Sequence, residues 1–163
     1  MRGAFMDYVI RYACIDDVPY LVKSLEILRE YHGIKNEHVI DFEDFAHSLL
    51  NTSSNLNALI LEKNARSIGF VLYFENYSTI YCKKGLYIED LYVEEAERGQ
   101  GLGKALFKKI TQLASENGYA FIEWLCADKN ETTIGFYLNL KAQPCKGWSV
   151  YRLEKKDYIH HLG

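Results

Sequence analysis

The chain has 163 residues and a formal net charge of −3, which suits one domain over 1–163 with a sizeable core. Its balance excludes the basic footprint of a nucleic-acid binder, and no apolar run reaches membrane-spanning length. Cys14, Cys82, Cys126 and Cys145 form no Cys-x-x-Cys pair, and the histidines are scattered apart from His160-His161, so no metal site is expected.

In chain order, Tyr8 to Ala13 reads as a first strand. Asp16-Asp17 starts a helix, with Pro19 in its first turn, where a missing N–H costs little. Val18, Leu21, Val22, Leu25 and Leu28 form its apolar stripe to about Tyr31, and Gly33 ends it. Phe42, Phe45, Ala46, Leu49 and Leu50 space a second, shorter helix, and Asn51 to Asn57 is a polar loop. Two strands follow, Leu56 to Glu62 and Ser67 to Tyr77, joined at 63–66. The run Gly69 to Phe74 is apolar enough to lie centrally in a sheet. Leu86 to Val93 is the next strand, with Glu89 and Asp90 set among strand formers. After a glycine-rich loop, Leu102, Leu106, Ile110 and Leu113 space a helix that stops at Asn117-Gly118. Tyr119 to Cys126 reads as a strand, Glu131 to about Leu140 as a helix, and Gly147 to Leu153 as a closing strand. The order β-α-α-β-β-β-α-β-α-β has an antiparallel first half and a central βαβ step, an α+β mixed sheet flanked by helices. The first residues carry Arg2, Asp7 and Arg11 with no continuous apolar stretch, so no signal peptide is expected. The default expectation is a reduced, soluble, cytoplasmic protein.

The chemistry concentrates at Arg98-Gly99-Gln100-Gly101-Leu102-Gly103-Lys104. A glycine loop between a strand and a helix N-terminus presents bare N–H groups backed by the helix dipole, which suits phosphates. A Walker A loop is excluded, because Ala105 follows Gly103-Lys104 and supplies no hydroxyl for magnesium. Gly99, Gly101 and Gly103 give Gly-x-Gly-x-Gly, one residue short of the dinucleotide fingerprint, although Glu123 lies about 20 residues on, where a ribose-binding acid is expected. Arg98, Gly101 and Gly103 satisfy Arg/Gln-x-x-Gly-x-Gly/Ala. The alternative is a βα turn with no ligand.

With the preceding Glu-Asp-Leu-Tyr-Val strand, that loop resembles the acetyl-CoA pyrophosphate loop of the GCN5-related N-acetyltransferases (GNAT). Leu86 to Val93, the loop, Asn130-Glu131, Phe136-Tyr137 and Gly147-Trp148 together resemble the diamine (spermidine/spermine) acetyltransferases and their thialysine-acetylating relatives. The similarity is dense from Leu86 to Leu153 and looser before it, where Val9-Ile10-Arg11 and Tyr31 also fit. It implies the GNAT fold, acetyl-CoA as cosubstrate without a metal, a small-molecule primary amine as acceptor, and a homodimer. Leu91, Tyr92 and Val93 would run beside the pantetheine arm, with the backbone of Leu91 and Val93 pairing to it as a strand does at a sheet edge. The N–H groups of Arg98, Gly99, Gln100, Gly101, Leu102, Gly103 and Lys104 would cradle the pyrophosphate. Asn130 would fix the pantetheine end and Tyr137 would sit beside the thioester sulfur. Tyr31, Glu89, Asp90, Glu123, Trp124 and Leu125 would meet the amine, and Asp128 is a further acid for a cationic end.

An alkylamine with a pKa near about 10.4 must lose a proton before it attacks a thioester. Glu89 is the expected base, directly or through water, with partial burial among Tyr87, Ile88 and Leu91 raising its pKa. Tyr137 keeps its proton at neutral pH and can give it to the leaving thiolate. A bulge near Leu91-Tyr92 would free a backbone N–H for the carbonyl oxygen. The residues alone also allow plainer roles: an edge-strand acid for Glu89 and Asp90, an N-cap for Asn130, core aromatics for Tyr137, Trp124 and Trp148, and close packing or ligand approach at Gly135. His32 and Lys146 stand where the diamine enzymes carry acids, which points away from a long polyamine and towards a shorter diamine or a thialysine-like amino acid. Other readings are an acetyl-CoA-binding sensor without catalysis and acetylation of a protein amine.

Overall fold

The structure, a computed structural model, describes residues 8–34, 39–51 and 53–159. His160-His161 lies outside them. The chain divides into two compact units, Met1–Leu125 and Cys126–Gly163.

The first unit is built on a five-stranded sheet in the order β1-β2-β3-β4-β5. The strands are β1 (Tyr8–Tyr12), β2 (Leu56–Lys63), β3 (Arg66–Ser78), β4 (Lys83–Val93) and β5 (Ile122–Trp124). The first four pair antiparallel, and β5 runs parallel to β4. Helices α1 (Val18–Tyr31) and α2 (Phe42–Leu50) follow β1, and α3 (Leu102–Glu116) makes the crossover from β4 to β5. Both sheet faces are apolar because both are covered. On one, Ala58, Ile60, Phe70, Leu72 and Tyr92 form a buried cluster with Leu21 of α1, flanked by Leu25 and Leu28 of α1 and Phe45 and Leu49 of α2. The residues alternate along β3 and β4 as the two-residue period demands. The 3.6-residue stripe of α3, Leu102, Leu106, Phe107, Ile110 and Leu113, is buried in the same way.

Local chemistry sets the ends of these elements. Pro19 sits in the first turn of α1, and Asp41 caps α2 by accepting from the Asp44 N–H at 2.9 Å. Before α1, Arg11 grips Asp17 through its two terminal guanidinium nitrogens, at 2.7 and 2.9 Å, and the Cys14 N–H donates to the same carboxylate. That pair ties β1 to α1.

The second unit contains α4 (Glu131–Asn139) and α5 (Lys155–Tyr158). The strand expected at Gly147–Leu153 is not formed. Those residues have no ladder partner among the described residues, and Trp148 and Tyr151 are 74% and 93% exposed. An alternating pattern makes a segment fit for a strand, but only an adjacent edge gives its N–H and C=O groups their bonds. The expected strand at Tyr119–Cys126 is shorter than its pattern, with ladder pairing from Ile122 to Trp124 only.

Candidate active site

The register of β3 against β4 breaks beside the two acids. Leu72 lies opposite Asp90 and Tyr73 opposite Ile88, so Glu89 is the extra residue of a β-bulge. The bulge thus stands at Glu89, earlier than the Leu91-Tyr92 position expected from sequence. It also changes which acid is buried. Glu89 is exposed, whereas Asp90 is half-buried and shares the face of its partner Leu72. Burial, with the Glu89 charge second, pushes the Asp90 carboxyl up to about 6. The desolvation expected at Glu89 therefore falls on its neighbour.

Beyond the bulge, the Glu94 N–H donates to the Ile68 carbonyl at 2.9 Å. Antiparallel bonding alternates, so Tyr92 and Asp90 also turn their backbone groups to β3. Leu91 and Val93 consequently turn theirs to the opposite edge of β4. There β5 pairs only as far as Trp124, opposite Ile88. The Val93 carbonyl accepts from Arg98 Nε at 3.0 Å, which folds the start of the glycine loop back onto the strand end. Tyr92 takes a different place from its neighbours: its ring is in the core, 5.6 Å from that of Phe70.

The loop leaves β4 through a short 3-10 turn, Glu95–Glu97, and enters α3 at Leu102. Gly99 and Gly101 have φ of +77° and +80°, a region that other L-residues enter at a cost. A Cβ on either would meet nothing within 4 Å, so the glycines serve the backbone path, and the space beside them is open. Gly101 is the N-cap of α3 and has no side chain to cap it. The first-turn amides, Leu102 to Lys104, therefore keep the donor capacity that a Ser or Asp cap takes up in part. A diphosphate fits this arrangement, and an extended amide-bearing arm fits the β4 edge.

Of the other expected acceptor residues of this unit, Glu123, Trp124 and Leu125 run consecutively through the end of β5, with Glu123 and Trp124 opposite Tyr87 and Ile88 of β4. Tyr31 ends α1, 68% exposed, with its ring edge-to-face on His32. Glu123 on β5 accepts from the Asn76 amide. Trp124 packs its ring against Phe107 of α3, centroids 5.4 Å apart, and Leu125 is exposed. A cavity of about 140 Å³ that includes Tyr73, Leu113 and Tyr119 lies towards the other end of α3 from the glycine loop.

In the second unit, Asn130 is the N-cap of α4, its Oδ1 accepting from the Thr133 N–H at 3.1 Å. Tyr137 lies on the same helix, half-buried, with its ring 5.3 Å from that of Phe136. A Cβ on Gly135 would meet nothing within 4 Å, so close packing does not explain that glycine. Beyond the helix end at Asn139 stands Lys141, whose φ of +68° is unusual for a lysine. The Lys141 and Ala142 N–H groups bond the Leu138 and Tyr137 carbonyls, a Schellman closure that glycine normally serves.

Sequence reasoning missed the side chains that bind the loop from outside. Lys63 and Arg66, at the β2–β3 turn, reach Glu94, Glu97 and Gln100. No local pattern marks these contacts, since the partners lie 28 to 37 residues apart in the chain.

The Acetyltransferase (GNAT) family model matches residues 22–141. L-ornithine N5-acetyltransferase NATA1 of Arabidopsis thaliana is 40% identical over 85 residues, 52% of this chain and 37% of that protein. A tyramine N-feruloyltransferase of Nicotiana tabacum is 38% identical over 72 residues, 44% of this chain and 32% of that one. The aligned part thus spans about a third of the length of these two relatives. Thialysine N-epsilon-acetyltransferase of Bos taurus is similar along nearly its whole length, 26% identical over 157 residues, 90% of this chain and 92% of that one. Among solved structures, an integron cassette protein of V. cholerae superposes with a TM-score of 0.76 at 22% identity, covering 96% and 98% of the two chains. An aminoglycoside acetyltransferase from a soil metagenome gives 0.74 at 21%, covering 91% and 97%. The family match takes in the glycine loop, the bulged strand and α4, and this chain belongs to the GNAT acetyltransferase family.

Proposed function

We propose that the protein transfers the acetyl group of acetyl-CoA to the primary amine of a small molecule. The observation that carries this reading is the uncapped, glycine-lined entry to α3 beside a β4 edge whose Leu91 and Val93 backbone groups β5 does not cover. The donor supplies an activated thioester; the chain's residues supply position and protons. Amides from Arg98 to Lys104 hold the diphosphate, and the Leu91 and Val93 backbone aligns the extended arm along β4.

Glu89 takes the proton of the acceptor ammonium, directly or through a water, from its exposed place at the bulge. Asp90 beside it adds negative charge as it ionises and helps to hold a cationic acceptor. The family pattern assigns Tyr137 the proton for the departing sulfur and Asn130 the hold on the arm's end. The acceptor class is a short, flexible primary amine. Supporting it are relatives named for acting on ornithine and thialysine, and His32 and Lys146 in place of the acids of the polyamine pattern. The chain acts as a homodimer in the cytoplasm. No helix of the described residues is long and apolar enough to cross a membrane.

Mass-spectrometric screening of a panel of diamines and ω-amino acids with acetyl-CoA tests the reading. Acetylated product from a short amine is expected, and Glu89→Gln shifts or abolishes the alkaline rise of rate with pH. CoA binding without acetyl transfer to any amine would overturn catalysis and leave a CoA-binding module.

A further inference from the structure

The two cations at the β2–β3 turn bind the cofactor loop more closely than a surface charge pattern requires. Asn64 and Ala65 make the turn, both at left-handed φ of 53° and 57°. Lys63 and Arg66 flank it, opposite one another in register. A tight two-residue turn of this kind fixes the ends of both strands. Lys63 Nζ reaches Glu97 Oε2 at 2.7 Å and Gln100 Oε1 at 3.3 Å. Arg66 reaches Glu94 Oε2 at 2.9 Å and Glu97 Oε1 at 3.4 Å. Gln100 Nε2 donates back to Glu97 Oε2 at 3.3 Å. Three side chains thus converge on one carboxylate, whose side chain is only 16% exposed although it stands in a loop. The Lys63 hydrogen bond is the first cause holding the Glu97 carboxyl below its ordinary range.

We propose that Glu97 is a positioning residue for acetyl-CoA: through it, Lys63 and Arg66 brace the 94–100 segment in the path that aims the amides from Arg98 onward at the diphosphate. This rests on the reading of the loop as the donor's diphosphate site. The segment 94–100 has only one 3-10 turn of regular structure, and Gly99 adds backbone freedom. Its conformation therefore depends on side-chain ties: Arg98 bonds back to the Val93 carbonyl, and Lys63 and Arg66 supply ties from the β2–β3 turn.

Charge makes the test discriminating. Glu94, Glu95 and Glu97 place three anions next to an anion-binding loop, and Lys63 and Arg66 offset two of them. If charge alone mattered, Glu97→Gln would remove an anion and tighten binding. A brace predicts the reverse, and it predicts that Lys63→Met does more harm still, because it removes the brace and exposes the Glu97 charge to the diphosphate.

The experiment is calorimetric titration of CoA into the wild type, Glu97→Gln, Lys63→Met and the double variant, at low and high salt. Glu97→Gln is expected to raise the Kd for CoA about fivefold, in keeping with the loss of a partly exposed ion pair. Lys63→Met should raise it further, and the double variant no further than Lys63→Met, since the pair acts as one unit. In turnover, KM for acetyl-CoA rises while kcat at saturating acetyl-CoA and KM for the amine hold. Should Glu97→Gln fail to fold, Gln100→Ala, which removes exposed contacts only, is expected to weaken CoA binding about twofold. Either variant binding CoA as tightly as the wild type, or more tightly, overturns the brace alone. A wild-type chain that does not bind CoA overturns the diphosphate reading and the brace with it.

Discussion

Asp90→Asn separates what the buried acid at the bulge does for the site from what it costs the fold. Burial lifts its carboxyl from the ordinary 3.8 to about 6. That rise corresponds to about 3 kcal/mol at roughly 1.36 kcal/mol per pKa unit. The group keeps some contact with solvent, which reduces the cost to about 1–2 kcal/mol. Because the folded pKa is raised, the native state holds its proton after the unfolded chain has released it. The contribution is intact below the unfolded value, is lost as pH rises from about 3.8 to about 6, and stays lost above that. Asparagine has no charge to desolvate. The variant should therefore gain about 1–2 kcal/mol over the wild type at about pH 8 and nothing at about pH 4. Urea denaturation of both proteins across this range, followed by tryptophan fluorescence, reads the difference. A gain equal at both ends of the range, or a loss at the alkaline end, refutes the argument that charge burial at Asp90 opposes folding. The same variant should raise the KM for a cationic amine at about pH 8, where the wild-type carboxylate is ionised, which is the exchange of stability for function common at binding sites.

Tyr137→Phe should leave CoA binding unchanged by calorimetry and slow turnover by roughly 100-fold, the low end for a lost general acid; an unchanged kcat with chemistry rate-limiting removes Tyr137 from the mechanism. Asp17→Asn breaks the two-pronged Arg11 pair at a carboxylate whose side chain is 5% exposed and should cost about 3 kcal/mol in denaturant unfolding. Burial pushes that carboxyl up, but the Arg11 and Cys14 hydrogen bonds outweigh it and hold it low. The wild type therefore loses this contribution as pH falls below about 3.8 through the folded value, whereas the variant shows no such acid-linked loss. Lys141→Gly relieves the left-handed residue that closes α4 and should add about 1 kcal/mol, or about 2–4 °C in melting temperature; a drop in melting temperature means the lysine side chain makes a contact worth more than the strain.

Much of the fold is legible locally. The helix over Phe42–Leu50 matches its apolar spacing end to end, and the β2–β3 hairpin lies within a residue or two of its pattern. The segment Gly147–Leu153 has the same kind of pattern and forms no strand, because strands exist only as pairs. Among the candidate residues, the glycine loop could be read because its conformational demand is written in its own residue types. The division of burial between Glu89 and Asp90 could not, since it follows from a one-residue register shift against β3. Asn130 shows that one residue can meet a plain expectation and still hold a place in a functional pattern, as its cap to Thr133 is formed.

By itself the amino-acid sequence determined the order of elements as far as α4, the amphipathic faces and the glycine path into α3, because backbone freedom, side-chain period and capping act over a few residues. Only the tertiary structure decided which acid at the bulge is desolvated, which edge of β4 stays uncovered by β5, and that the β2–β3 turn grips the loop after β4. Those outcomes depend on strand register and on contacts between residues distant in the chain, and no short-range pattern encodes them.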